Sequence, residues 1–213
     1  MINEKTFSEA YGIKFSVHSG KMQGIRSLNT SVVLNAICQA RAKIAGSICS
    51  KCYAKSLVAF RKSLRKVLEK NTRVLTSIVI PVKYWPVIND RVFRFESFGD
   101  LNNSIQVINY FNFCLKNPET LFALWTKNPE FIAAAIADGH AKPENLIIIQ
   151  SSKHINVVDE PRYDFIDGVF TVYDAEYIEK HDIAINCGAR HCLSCMRCYT
   201  KHEGVFYINE KLK

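Results

Sequence analysis

Apolar and polar residues alternate with a period of two at several points along the chain, and each such stretch predicts a strand. The first is Ile13-Lys14-Phe15-Ser16-Val17-His18, with turns at Ser19-Gly20 and Gln23-Gly24. Thr30 to Ile37 fits a strand or a short helix leading into Cys38. From Tyr53 the period changes. Leu57, Phe60, Leu64 and Leu68 recur at spacings of three and four, which predicts one apolar helical stripe. Thr76 to Val82 reads as a strand or a helix end, with Pro81 and Pro86 beside it. Arg91 to Phe98 alternates cleanly and is a strand that Gly99-Asp100 ends. A helix follows from Ser104 to Leu115, broken by Asn117-Pro118. Leu121 to Thr126 is the next strand, and Asn128-Pro129 opens a short helix through Phe131 to Ala137. Asn145 to Ser152 is a continuous apolar run, as in a parallel strand buried on both faces, and Asp167 to Asp174 is another. Ile183 to Asn186 reads as a short last strand.

Strand and helix therefore alternate, and several strands end in polar residues. That pattern predicts βα units in a parallel sheet, with chemistry at the carboxyl ends of the strands. About six strands are too few to close an eight-stranded barrel. The expectation is an α/β fold built as a partial, open βα barrel of mostly parallel strands, with cysteine-rich segments at both ends. Residues 1–213 show no linker, repeat or low-complexity segment and read as a single domain. Within it, 1–54 carries a first cysteine group, 55–186 is the βα core and 187–213 is a second cysteine cluster.

Composition narrows this little. The chain has 213 residues, 48% hydrophobic and 23% charged, as in an ordinary globular protein. No apolar run approaches the roughly 20 residues of a membrane span. The start, Met1-Ile2-Asn3-Glu4-Lys5, does not resemble a secretory signal. A cytoplasmic protein is expected, where thiols stay reduced and cysteine clusters point to metal or redox chemistry. The net charge is +8. Between Arg41 and Arg73 there are ten Lys or Arg residues and one acid, Glu69, so the usual pairing along a helix is largely missing. Arg61, Lys62, Arg65 and Lys66 are the candidates for nucleic-acid binding, against the alternative of a solvated helix face.

Seven of the eight cysteines lie in two groups. Cys38, Cys49 and Cys52 form the first, Cys187, Cys192, Cys195 and Cys198 the second, and Cys114 stands apart. A CxxC pair alone serves zinc ribbons, redox sites and iron–sulfur clusters alike. The second group is more specific. Its gaps of four, two and two residues make a compact loop suited to wrapping a 4Fe–4S cubane. Mononuclear zinc usually takes two knuckles separated by a longer stretch. A crossed zinc site from Cys49, Cys52, Cys195 and Cys198 stays open, although it leaves Cys38, Cys187 and Cys192 without a role. The three N-terminal cysteines leave one coordination position open, which is what catalysis requires.

Cys38-x10-Cys49-x2-Cys52-Tyr53-Ala54 resembles a stretched form of the three-cysteine motif of radical S-adenosylmethionine (radical SAM) proteins. It is especially similar to the Cys-x-x-Cys-Tyr-Ala ending of spore-photoproduct-lyase-like relatives. The first gap is longer here than in that motif. The whole chain resembles a small family of uncharacterised phage proteins, through Phe95-Glu96-Ser97-Phe98-Gly99-Asp100-Leu101, Phe122-Ala123-Leu124-Trp125-Thr126-Lys127, Asn186-Cys187-Gly188 and Cys192-x2-Cys195-x2-Cys198-Tyr199. The radical SAM resemblance implies that Cys38, Cys49 and Cys52 hold three irons of a 4Fe–4S cluster and that S-adenosylmethionine binds the fourth. It implies that Ser97, Gly99 and Asp100 contact the methionine amino group. Thr126, Gln150, Ser151 and Asp174 would face the cofactor or substrate, and the C-terminal cluster would be auxiliary, with an electron donor as a further partner.

Other candidates carry less. Glu96 and Asp100 would form an acid/base pair if the strand reached Asp100, and Asp100 equally suits a helix cap. Asp174 is a third catalytic candidate. The histidines are scattered, and His191, between Cys187 and Cys192, is the best ligand among them. Trp125 reads as core before stacking platform. No Walker-type phosphate loop and no GxGxxG occurs. Three functions follow: a radical-SAM-like iron–sulfur enzyme acting on a nucleic acid or nucleotide, an iron–sulfur enzyme of sulfur transfer that does not use S-adenosylmethionine, or a zinc-braced nucleic-acid-binding module.

Overall fold

The computed structural model describes residues 2–212. Its centre is one seven-stranded sheet whose strands lie side by side in chain order. They are β1 (Ser16–Val17), β2 (Arg26–Leu28), β3 (Val92–Phe95), β4 (Leu121–Thr126), β5 (Leu146–Ser151), β6 (Gly168–Tyr173) and β7 (Phe206–Lys211). β1 is antiparallel to β2, and every later neighbour is parallel. Helix α1 (Glu4–Tyr11) precedes the sheet. α2 (Ala36–Arg41), α3 (Tyr53–Phe60) and α4 (Lys62–Leu75) connect β2 to β3. α5 (Ser104–Lys116) and α6 (Glu130–Ala137) make the next two crossovers, and α7 (Ala175–His181) and α8 (Cys192–Cys195) lie between β6 and β7. The result is an α/β fold with a mostly parallel sheet.

The local rules that predicted the elements also end them. Asn103 caps α5 by accepting from the Gln106 N–H, and the helix stops at Asn117, before Pro118. α6 starts behind Pro129, and α1 ends at Gly12 with φ of 70°.

Several segments differ from expectation: the hydrophobic pattern does not mark β2 or β7, β3 ends at Phe95 rather than Phe98, and three others change character. The single stripe from Leu57 to Leu68 is two helices, because the chain leaves helical geometry at Arg61 (φ −101°, ψ 81°). The break shifts the phase: Ala54 and Val58 join Leu68 in a small core, and Phe60 is left 87% exposed. Thr76 to Val82 is neither strand nor helix in its middle. It is strapped to α5 by Asn109, whose side chain donates to the Leu75 and Ile78 carbonyls and accepts from the Ile80 N–H. Ile183 to Asn186 is no strand. A stretch so short cannot bury both faces, and Asn186 instead pairs with Asn209 of β7, the true last strand.

Strands in chain order with right-handed crossovers carry their helices on one face. The packing agrees. Phe93, Phe95, Phe122, Leu124, Leu146 and Ile148 face a core shared with Phe7, Val107, Phe111, Phe113 and Ile132 of the helices. The alternate residues, Val92, Ala123, Trp125, Ile147 and Ile149, face the other way, against the C-terminal segment. Cys114 is fully buried on the helix side, apart from the other cysteines. Phe113 sits where the aromatic layer converges, 4.9 Å between ring centroids from Trp85 and 5.3 Å from Phe93. Phe113→Ala is expected to cost about 3–5 kcal/mol, read from the urea midpoint at unchanged slope.

Candidate functional site

Directly after β3 the chain makes a tight, buried turn. Glu96 has φ of 54° and Gly99 has φ of 87°. A Cβ on Gly99 would lie 2.5 Å from the Thr30 hydroxyl and 2.6 Å from Glu96 Oε2, so only glycine fits. Asp100 closes the turn. Its carboxylate accepts from the Thr126 hydroxyl at 2.5 Å, from the Leu101 N–H at 2.8 Å and from the Lys127 N–H at 3.1 Å. This ties the end of β3 to the end of β4. Asn29 holds the other side, accepting from the Ser97 N–H at 2.8 Å and its hydroxyl at 2.7 Å. His18 Nε2 lies 3.0 Å from the same hydroxyl, and burial lowers its pKa, with Arg94 adding to the effect.

Glu96 is buried beneath the turn. Tyr110 and Gln106 donate to its Oε1, and the Thr30 hydroxyl donates to Oε2 at 2.9 Å. Burial pushes its pKa up to about 8, Asp100 pushes the same way, and the Tyr110 and Thr30 bonds oppose them. Glu96 and Asp100 are thus both engaged by the protein.

The turn also anchors the first cysteine group. Asn35 caps α2 by accepting from the Cys38 N–H at 3.0 Å, while its amide donates to the Asp100 carbonyl at 3.0 Å. The Tyr53 hydroxyl donates to the Ser97 carbonyl. The loop before Cys49 is stitched to the end of β5: Ile48 N–H donates to the Lys153 carbonyl at 3.1 Å, and Ile155 N–H to the Gly46 carbonyl at 3.1 Å. Cys38 and Cys52 both pack on the small core of Val32, Ala54 and Val58. Burial pushes the Cys38 thiol far up, with Asp100 and Cys49 adding to it.

The second group approaches the same edge from the other side. Cys187 N–H donates to the Asn209 carbonyl of β7 at 3.0 Å, and Lys21 donates to Cys187 Sγ at 3.1 Å. The chain reverses at Met196, with φ of 54°, and sends buried Tyr199 against Trp125. Burial pushes Cys192 up and Cys198 up to about 12.

Between the two groups lies a cleft of about 580 Å³ at the carboxyl edge of the sheet. Cys49 and Cys52 line one side, and Cys187, Cys192, Cys195 and Cys198 the other, whereas Cys38 packs behind the lining on the small core of Val32, Ala54 and Val58. Ser97, Gly99, Asp100 and Ser151 also line it. Thr126 and Gln150 are buried and support rather than line it: Thr126 binds Asp100, and Gln150 donates to the Glu160 carbonyl at 2.7 Å. Asp174 does not line it. It caps α7, accepting from the Tyr177 N–H at 2.8 Å and from the Asn156 amide at 2.7 Å, and these bonds hold its carboxyl below the usual range. His191 precedes α8 and is also outside the lining. Arg61, Lys62, Arg65 and Lys66 are exposed at the start of α4 and on its surface. The one acid there, Glu69, pairs with Arg65 at 2.7 Å and with Arg73 at 3.7 Å.

All seven grouped cysteines are free thiols. Among the described residues no three His, Cys, Asp or Glu side chains converge closely enough to hold one metal ion. A metal cluster, whose own atoms occupy the centre, places its thiolates further apart than a single ion does. Cys38, Cys192 and Cys198 are thiols whose burial disfavours the thiolate unless a cation compensates it.

Arg94, Lys21 and Tyr199 also line the cleft, and sequence reasoning missed them. Arg94 did leave a signal: an arginine inside a strand whose neighbours Phe93 and Phe95 are core must point to the opposite face. Trp125 is 9% exposed and packs on Tyr199, as the core reading has it, while also lining the cleft.

These features define an α/β protein with two cysteine groups opening on one cleft at the carboxyl edge of a parallel sheet. A family model described as Gene product 88 matches residues 12–209, and the chain belongs to that family. This agrees with the resemblance to an uncharacterised phage-type family. No curated protein and no solved structure matches the chain.

The native state keeps a proton on Glu96 up to about pH 8, whereas the unfolded chain releases it in the usual carboxylate range. Stability from this site is therefore full in acid and lost as pH rises toward 8. The stability difference between wild type and Glu96→Gln, measured by urea denaturation, is expected to shift against wild type between about pH 5 and 8.

Proposed function

We propose that the chain is an iron–sulfur enzyme of the radical SAM kind, built on a partial βα barrel, which modifies a nucleic acid or nucleotide in the cytoplasm. The observation that carries the reading is that six of the seven grouped cysteines, Cys49 and Cys52 of the first group and all four of the second, line one cleft at the carboxyl ends of parallel strands, where α/β enzymes keep their chemistry. Strands in chain order with helices on one face suit an incomplete barrel.

Cys38, Cys49 and Cys52 would hold a 4Fe–4S cluster with one iron open, and Cys187, Cys192, Cys195 and Cys198 a complete second one. When bound, the first cluster with S-adenosylmethionine supplies one-electron chemistry, fed by an electron donor. The chain's own groups do the rest. The Ser97 to Asp100 turn would form the wall against which a cofactor lies, and its rigidity keeps the first cysteine group in place. Glu96 stays protonated near neutral pH and holds the turn rather than acting as a base. Ser151 and the second group close the cleft's other side against water. The exposed cations of α4 guide a polyanion.

Anaerobically purified protein is expected to be brown, with about eight iron and eight labile sulfide per chain, and Cys192→Ala to lose about half of both. A colourless zinc protein would overturn the reading in favour of a zinc-braced binding module. S-adenosylmethionine is expected to bind the reconstituted protein in equilibrium dialysis and not the Cys49→Ala variant. Failure to bind after full reconstitution would leave the sulfur-transfer enzyme. Changing Arg61, Lys62, Arg65 and Lys66 together to Ser is expected to weaken single-stranded nucleic-acid binding and to flatten its salt dependence by roughly 0.7 in slope per lost phosphate contact.

A further inference from the structure

Arg94 lies in β3 between Phe93 and Phe95, whose rings enter the helix-side core. Its side chain therefore crosses to the face that floors the cleft, and it is part of the cleft lining. The guanidinium carbon stands over the Trp125 ring, 3.8 Å from its centroid. Among the described residues, Nη1 reaches the Met22 thioether alone, at 3.5 Å. Nε is buried without a hydrogen-bond partner, and among the described residues no carboxylate lies within ion-pair distance of Arg94. Three other half-buried cations do have carboxylate partners: Arg26 with Glu4 and Asp90, Lys142 with Asp167, and Lys21 with Glu210. A half-buried guanidinium without a carboxylate partner is only partly compensated, and an orphaned buried N–H adds to the cost.

The cleft around it is positive. Among the described residues, six Lys or Arg side chains line it against three acids. Of those acids, Glu96 keeps its proton up to about 8, and Asp100 is engaged with the Thr126 hydroxyl and backbone N–H groups. A doubly charged oxyanion matches this better than a carboxylate. The chain also lacks a glycine-rich phosphate loop, so phosphate recognition here falls to side chains.

We propose that Arg94 binds the phosphate of the substrate in the cleft. The inference rests on the nucleotide reading above and names the group by which the nucleotide is held. Trp125 orients the guanidinium so that Nε and Nη2 form a two-pronged edge for two phosphate oxygens. Met22 takes Nη1 instead, which leaves the Nε and Nη2 edge without a protein acceptor among the described residues.

The chain has two tryptophans, so Trp85→Phe leaves Trp125 as the sole fluorescent reporter, directly beneath Arg94. Titration with AMP is expected to give a saturable fluorescence change, with inorganic phosphate competing and adenosine binding at least tenfold more weakly. Where Trp85→Phe does not fold, calorimetry on the otherwise unmodified chain reads the same binding. Arg94→Gln is expected to lose tenfold or more in AMP affinity, and Arg94→Lys less, because a point charge keeps attraction but not the fork. Equal affinity for AMP and adenosine, AMP binding unchanged in Arg94→Gln, or acetate competing as well as phosphate would each overturn the proposal. Protein without iron that still binds AMP through Arg94 would refute the iron–sulfur reading and leave this one standing. Iron-loaded protein without Arg94-dependent phosphate binding would do the reverse.

Discussion

The carboxylate of Asp100 has to be satisfied in a buried turn, and much of the cleft is arranged to do so. Its oxygens take the Thr126 hydroxyl and the Lys127 N–H, which fixes the end of β4 against the end of β3. The backbone carbonyl of the same residue takes the Asn35 amide, and Asn35 caps the helix that carries Cys38. Gly99 makes the turn possible, since any side chain there would meet Thr30 and Glu96. One buried charge thus sets the relation between two strands and one cysteine. Unsatisfied, a buried carboxylate would cost more than the turn could recover.

The two faces of the sheet divide the work. The helix face is an aromatic layer around Phe93, Phe95, Phe113 and Phe122 and supplies most of the apolar burial. The other face is thinner, and the C-terminal segment covers it only in part, with Tyr199 seated on Trp125. A sheet covered by helices on one side alone leaves its second side for ligands, provided a short segment closes the rest. The cleft sits where that closure is incomplete, between cysteine groups far apart in sequence.

Electrostatics inside the cleft follow from the same geometry. Glu96, under the turn, is held neutral by burial. Arg94, on the opposite face, has no carboxylate within ion-pair distance among the described residues. Burial disfavours the thiolates of Cys38, Cys192 and Cys198. An anionic ligand and a metal cluster would each relieve one of these costs, and the two requirements are separate.

The elements of residues 104–173 were legible in sequence, because β4, β5 and β6 are continuous apolar runs with proline and asparagine at the helix boundaries between them. The cysteine grouping and the strand-end polar residues were legible for the same reason, since spacing and period are local properties. The split at Arg61, the exposure of Phe60 and the exchange of Ile183–Asn186 for β7 were not. Each depends on which surface a segment meets after the chain has closed. Sequence alone determined that there are parallel strands, which residues face alternately, and that the thiols fall into two groups. Tertiary structure decided that both groups open on one cleft, and that Asp100 holds the turn while Asp174 and Gln150 are taken up by caps and carbonyls. It also placed Arg94, a residue with no distinguishing motif, in the floor of that cleft without a counter-ion. The physical reason is that charge pairing and burial are settled by contacts between residues distant in the chain, and no local pattern encodes them.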